Sequence, residues 1–157
     1  MDKQIIYVRG DALSPMAKGI KIIAHICNDA GGWGKGFVLA ISKKWAEPEK
    51  EYRVWYNSRD NFKLGEVQFV QVEPYIYIAN MIGQKGIKAG SGAPPIRYPA
   101  VEASLAKVAE KAVELGAAVH MPRIGCGLAG GRWEQIEPLI NRTLINKGID
   151  VYVYDYN

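Results

Sequence analysis

The segment Ile20–Asn28 (IKIIAHICN) is apolar at nearly every position. Successive strand residues point to opposite faces, so a strand with one face in water alternates apolar and polar residues. A near-continuous apolar run needs cover on both faces, as in a parallel sheet flanked by helices. The rest of the chain supplies that cover. Ile5–Gly10 (IIYVRG) reads as a preceding strand. Phe37, Ile41 and Trp45 recur at helical spacing. Pro48 stands where a helix tolerates proline, at its first turn, and Tyr52, Trp55 and Tyr56 mark the buried side of that helix. Val67, Phe69 and Val72 alternate with polar residues up to Glu73-Pro74, and Tyr75–Ile82 returns, which predicts a hairpin. The clearest helix is PAVEASLAKVAEKAVELG, with Pro99 near its start and Gly116 just past its end. Its apolar face carries Val101, Leu105, Val108, Ala112 and Leu115. Ala117–Ile124 reads as a strand and Trp133–Gly148 as a helix whose first turn Pro138 disturbs. Asp150–Asp155 reads as a last strand. Strands alternate with helices except at the hairpin, which predicts an α/β fold: a three-layer α/β/α sandwich with a mixed central sheet.

Composition agrees with one globular domain over residues 1–157, 48% apolar and 23% charged. No apolar run is long enough to cross a bilayer, and the start lacks a secretory leader's apolar stretch, so an intracellular, cytoplasmic protein is expected. The two cysteines, Cys27 and Cys126, make neither a disulfide framework nor a zinc spacing. No metal or cofactor is expected. A net charge of +4, with no basic run longer than Lys43-Lys44, leaves open a solvated surface, an anionic ligand or weak nucleic-acid affinity.

In open α/β sheets, ligands bind beyond the carboxyl ends of strands. Three such ends hold unusual residues. After the first strand, Gly10-Asp11 puts a carboxylate where it can accept from a ligand amine or make a local turn. After the second, His25, Asn28 and Asp29 lead into Gly31, Gly32, Gly34 and Gly36, whose bare backbone allows close approach to a ligand. His25 reads either as a core histidine or as an acid or base. The third, Arg123–Gly131 (RIGCGLAGG), contains Gly-x-Gly-x-x-Gly at Gly125, Gly127 and Gly130. A Rossmann reading needs further β-α units, and only one helix and one strand follow. The loop therefore predicts a phosphate cradle of another kind, or a tight strand-to-helix turn. Gly83–Tyr98 reads as a long loop, a lid or a connector. A Cys/His nucleophile pair drawn from Cys27, Cys126 and His25 has no third orienting group in the sequence.

GDAL after the first strand, CNDAGGWGKGF after the second, NMIGQ after the hairpin and PRIGCGLAGGRWEQI near the end occur in the order and spacing of a macrodomain. The chain resembles that ADP-ribose-binding α/β/α family along essentially its whole length. The resemblance implies that Asp11 binds the adenine amine, with Gly10, Ala12 and Leu13 shaping that end. It implies that Gly31, Gly32, Trp33, Gly34, Lys35, Gly36 and Phe37 wrap the distal ribose and one phosphate, with Asn28 on that ribose. It implies that Ile124, Gly125, Cys126, Gly127, Leu128 and Ala129 cradle the diphosphate, and that the segment from Gln84 to Tyr98 flanks the pocket. PRIGCGL is similar to the branch that removes ADP-ribose from glutamate side chains, whose lysine and aspartate positions here hold Gln84 and Ala129. HICNDAGGWGKGF is similar to the yeast-type phosphatase acting on ADP-ribose 1''-phosphate. The expected ligands are ADP-ribose or ADP-ribose 1''-phosphate, carried free or on modified protein or nucleic acid, with no membrane partner. The leading expectation is a hydrolase at the distal ribose, with His25 as acid or base, Asn28 beside it and Asp29 orienting water. A non-catalytic ADP-ribose-binding module and an RNA-binding domain are the alternatives.

Overall fold

The computed structural model describes residues 3–87, 94–127 and 129–156. Six strands, β1 (Ile6–Arg9), β2 (Lys21–Asn28), β3 (Val67–Glu73), β4 (Ile76–Gln84), β5 (Ala118–Pro122) and β6 (Val151–Asp155), form one sheet in the order β1-β6-β5-β2-β4-β3. All neighbours are parallel except the β3–β4 hairpin. Among the described residues four helices cover it: α1 (Phe37–Lys44), α2 (Glu47–Ser58), α3 (Tyr98–Leu115) and α4 (Trp133–Thr143).

The apolar run of β2 does what its pattern requires. Ile22 and Ala24 pack with Leu105 and Val108 of α3 and Ile136 and Ile140 of α4. Ile23 and Cys27 pack on the opposite face with Ile41 of α1 and Tyr52 of α2. Each fully buried Leu or Ile contributes about 1.5–3 kcal/mol of transfer free energy, so both layers are needed to hold β2 at the centre. The α/β/α expectation holds. Gly116 closes α3 in the left-handed conformation, at φ 64°.

Three boundaries differ from the sequence pattern. β5 stops at Pro122, so Arg123 and Ile124 already belong to the following loop. The predicted Trp133–Gly148 helix is α-helical only to Thr143, whose hydroxyl donates to the Leu139 carbonyl at 2.7 Å, and a 3-10 turn over Ile145–Lys147 follows. Pro138 lies inside α4 on an exposed side, well past its first turn. No helix among the described residues is long and apolar enough to cross a membrane.

Because β1, β6, β5, β2 and β4 run parallel, Arg9, Asp155, Pro122, Asn28 and Gln84 end along one edge. The β2–β4 register slips between Cys27 and Asn28, setting Asn28 opposite Gln84. That edge carries the loops of interest.

Candidate functional site

A cleft of three connected hollows runs along the carboxyl ends of the strands, with cavity volumes of about 240–370 Å³ each. The middle hollow has Lys35, Gly36, Phe37 and Val38 on one wall and Arg123, Ile124, Gly125, Gly127 and Ala129 on the other, with His25 and Gln84 between them. Phe37 and Pro122 also line one end hollow, beside Gly10, Asp11, Ala12, Tyr154 and Tyr156. Lys35, Val38 and Gln84 continue into the other end, beside Asn28, Gly32, Trp33, Gly34, Arg53 and Ile87.

Asn28 builds the loop after β2. Its Oδ1 accepts the amide N–H groups of Ala30 at 2.9 Å and Gly32 at 3.0 Å, while its Nδ2 donates to the Gly32 carbonyl at 2.9 Å. The Tyr52 hydroxyl donates to the Asn28 carbonyl at 2.6 Å from below. Asp29 fastens this loop to the chain after β4, accepting the Gly86 N–H at 2.7 Å. The loop then enters α1 through Gly36, at φ 82°, with no side-chain cap. A helix start leaves its first amides without intrahelical acceptors. Among the described residues, the N–H groups of Lys35, Gly36, Phe37 and Val38 find no acceptor. They stand at the positive end of a helix, on the wall of the middle hollow.

Across the hollow, the glycines of RIGCGLAGG serve two purposes. Gly131 donates to the Gly125 carbonyl at 2.6 Å, and a Cβ on Gly131 would lie 2.4 Å from that oxygen. Gly125, at φ 74°, has no room for a Cβ against Ile96. These two let the loop fold onto itself. Gly127 has open space around it, and the amides of Gly125 and Gly127 have no acceptor among the described residues. Two sets of unpaired N–H groups therefore belong to residues lining one hollow, and among the described residues Lys35 and Arg123 are the only lysine or arginine lining it. Arg123 is held in place. Its Nε and Nη2 donate to Asp155 at 2.6 and 3.1 Å, and its guanidinium lies 5.1 and 5.0 Å from the Tyr7 and Trp133 ring centres. Hydrogen bonds from Arg123 hold the Asp155 carboxyl below its usual range.

His25 is 2% exposed. Its Nε2 lies 2.5 Å from Asn80 Oδ1. Asn80 Nδ2 donates to Gln68 at 3.0 Å and to the Pro48 carbonyl at 3.3 Å, so its oxygen faces His25 and Nε2 carries the proton. Nδ1 has no partner among the described residues. The ring sits against Trp33 and Phe37. Burial lowers its pKa to about 4, opposed by the Asn80 hydrogen bond. His25 is thus neutral near pH 7.

The structure disperses the expected His25, Asn28 and Asp29 group: His25 lies under the middle hollow, Asn28 lines the far end, and Asp29 Oδ1 accepts from Gly86. Asp11 lines its hollow and also accepts the Leu13 N–H at 2.9 Å, while Leu13 itself is buried among Ile23, Val38 and Ile41. Gly31, at φ 80°, lies over the Tyr56 ring and lines none of these three hollows. Cys126 is half-buried, and burial raises its thiol pKa. The Gln84 amide donates to the Gly86 carbonyl at 3.0 Å. Leu128 and residues 88–93 of the long loop lie outside the described residues. Arg123, Tyr154, Tyr156 and Arg53 line the cleft without having been singled out. The alternating Tyr152, Tyr154, Tyr156 at a strand's carboxyl end was the available signal for two of them. No group of three or more potential metal ligands occurs among the described residues.

No protein-family model matches the chain. A macrodomain protein from Streptomyces coelicolor is 56% identical, with TM-score 0.88, over 98% of this chain and 100% of that one. The chain is a macrodomain. A protein from Bacteroides thetaiotaomicron superposes on this macrodomain with TM-score 0.96 at 59% identity, covering 97% and 98% of the two chains. The zebrafish chromodomain-helicase-DNA-binding protein 1-like is 34% identical over 97% of the chain, which spans 16% of that relative's length. An ADP-ribose 1''-phosphate phosphatase from Lodderomyces elongisporus is 26% identical over 95% of this macrodomain and 98% of its own length.

Proposed function

We propose that this macrodomain binds ADP-ribose along the cleft and hydrolyses a bond at the distal ribose. The base takes the Asp11 end, the diphosphate the middle hollow and the distal ribose the Asn28 end. The observation that carries this reading is the pair of unpaired amide sets, Lys35–Val38 on one side and Gly125 with Gly127 on the other, around a hollow that Lys35 and Arg123 also line. A diphosphate satisfies both sets at once, and backbone donors at a helix start favour an anion. The fungal relative named for ADP-ribose 1''-phosphate phosphatase supports a hydrolase.

In this reading the amides fix the diphosphate, and the anomeric carbon comes to rest beside Asn28. Asn28 shapes the loop through its three hydrogen bonds to Ala30 and Gly32, and Asp29, with one oxygen held by the Gly86 N–H, leaves its other oxygen to orient the attacking water. His25, neutral and bound to Asn80, supports Phe37 and Trp33 instead of cycling a proton. Its two free thiols fit a reducing compartment such as the cytoplasm.

Calorimetry with ADP-ribose tests binding. Release of phosphate from ADP-ribose 1''-phosphate, and of ADP-ribose from modified glutamate or nucleic acid, tests the reaction and identifies its substrate. A second reading, a binding module without catalysis, draws support from Gln84 and Ala129 in the reactive positions of the glutamate-directed branch. Tight ADP-ribose binding with no turnover in all three assays selects it. Binding that falls steeply with salt and ignores added ADP-ribose selects RNA instead.

A further inference from the structure

His120 lies at the centre of β5 with no exposed surface, and nothing above gives it a role. Its ring stacks on Tyr152, with 4.7 Å between centres and 8° between planes. Its Nδ1 lies 2.8 Å from the Tyr154 hydroxyl, which also accepts the Met16 amide N–H at 3.0 Å. An amide N–H only donates, so the Tyr154 oxygen accepts there and its own proton is free to go to His120. In that arrangement Nδ1 is the acceptor and the ring proton sits on Nε2. Nε2 is buried without a partner among the described residues.

An apolar residue would fill this site without leaving a buried donor unpaired, as Val119 and Met121 do on either side. What histidine adds is a ring nitrogen hydrogen-bonded to the Tyr154 hydroxyl. Tyr154 is a wall of the Asp11 hollow, and Met16 lies five residues after Asp11 in the segment that follows β1. The relay therefore runs from the middle of the sheet, through one wall of the hollow, to the backbone of its rim.

We propose that His120 is a positioning residue for the base-binding end of the cleft: through the Tyr154 hydroxyl it locks that wall and the Asp11 loop to the sheet before ligand arrives. The proposal rests on the ADP-ribose reading above. The hydroxyl restricts the Tyr154 ring to one orientation, and the Met16 bond holds the loop against it, so the ligand meets a finished surface.

Two measurements test it. Long-range 1H–15N correlation on the unmodified protein is expected to show His120 as the neutral Nε2–H form. A proton on Nδ1 overturns the relay, because the Tyr154 proton would then have no acceptor there. Calorimetry with ADP-ribose and with inorganic pyrophosphate then separates positioning from general stability. His120→Leu and Tyr154→Phe are each expected to weaken ADP-ribose binding about tenfold, and the double variant no further, since both break one relay. Pyrophosphate affinity is expected to stay unchanged. His120→Asn, which returns an acceptor oxygen near Nδ1, is expected to recover part of the loss. Unchanged ADP-ribose affinity in both single variants, or equal losses for the two ligands, sinks the proposal. Failure of the unmodified protein to bind ADP-ribose sinks the underlying reading instead.

Discussion

Acid should unfold this protein earlier than its carboxylates require, because both of its histidines are buried and neutral. Burial lowers the pKa of His25 and of His120 from 6.5 to about 4, in His120 with help from the Lys21 charge. In the unfolded chain each takes up a proton near its ordinary value, while in the fold neither does until about pH 4. The stabilisation is therefore fully present above pH 6.5 and is lost as pH falls toward 4. Each histidine removes at most about 1.4 kcal/mol per pH unit, and integration gives about 2 kcal/mol apiece at pH 5. Together they remove about 4 kcal/mol of a stability that is typically 5–15 kcal/mol. Asp155 and Glu102, whose pKa values are lowered by arginine partners, lose their contributions only in the more acidic carboxylate range. Urea unfolding at pH 7.5, 6.5, 5.5 and 5.0 measures the slope directly. His25→Gln should halve it, whatever that variant does to the stability at pH 7.5. A loss below about 1 kcal/mol between pH 7.5 and 5.0 would show that these rings are not held neutral, and the account of His25 would fail with it.

Gly131→Ala should weaken ADP-ribose binding at least about tenfold by calorimetry, because its methyl group would meet the Gly125 carbonyl and force the loop open. Gly34→Ala, at a position with open space and no positive φ, should change affinity less than about twofold, and equal effects would discredit the packing argument. Asn28→Ala should lower stability by about 1–2 kcal/mol in urea, since it strips the loop of three hydrogen bonds, and a wild-type midpoint would contradict that role. Arg123→Gln should weaken ADP-ribose binding several-fold at low salt and flatten its salt dependence, as removal of a partly exposed cation requires. An unchanged salt dependence would mean that Arg123 faces only Asp155.

The layers were legible because β2 is apolar on both faces and α3 repeats its apolar residues in helical register, two patterns set by burial alone. The glycine loop was legible because glycine is required where backbone must approach backbone or take a positive φ, and Gly131 against the Gly125 carbonyl and Gly125 at φ 74° meet those two needs. What each polar side chain does was not legible. Asn28, Asp29 and His25 lie within five residues, yet a register slip and the strand's alternation send them to three different partners: Gly32, Gly86 and Asn80. Asn80 and Gln68 arrive from other strands, so nothing local to His25 announced that its ring would be occupied. Arg123 escaped notice because β5 ends a residue before it, and its aromatic and acidic partners come from β1, α4 and β6.

The central claim is that unpaired backbone amides on two facing loops receive a diphosphate. Amide 1H–15N spectra recorded on titration with ADP-ribose and, separately, with adenosine test this most directly. The account predicts that the Gly36, Phe37, Gly125 and Gly127 amides move downfield with ADP-ribose and stay in place with adenosine. If ADP-ribose binds and leaves those four signals unmoved, the claim is contradicted.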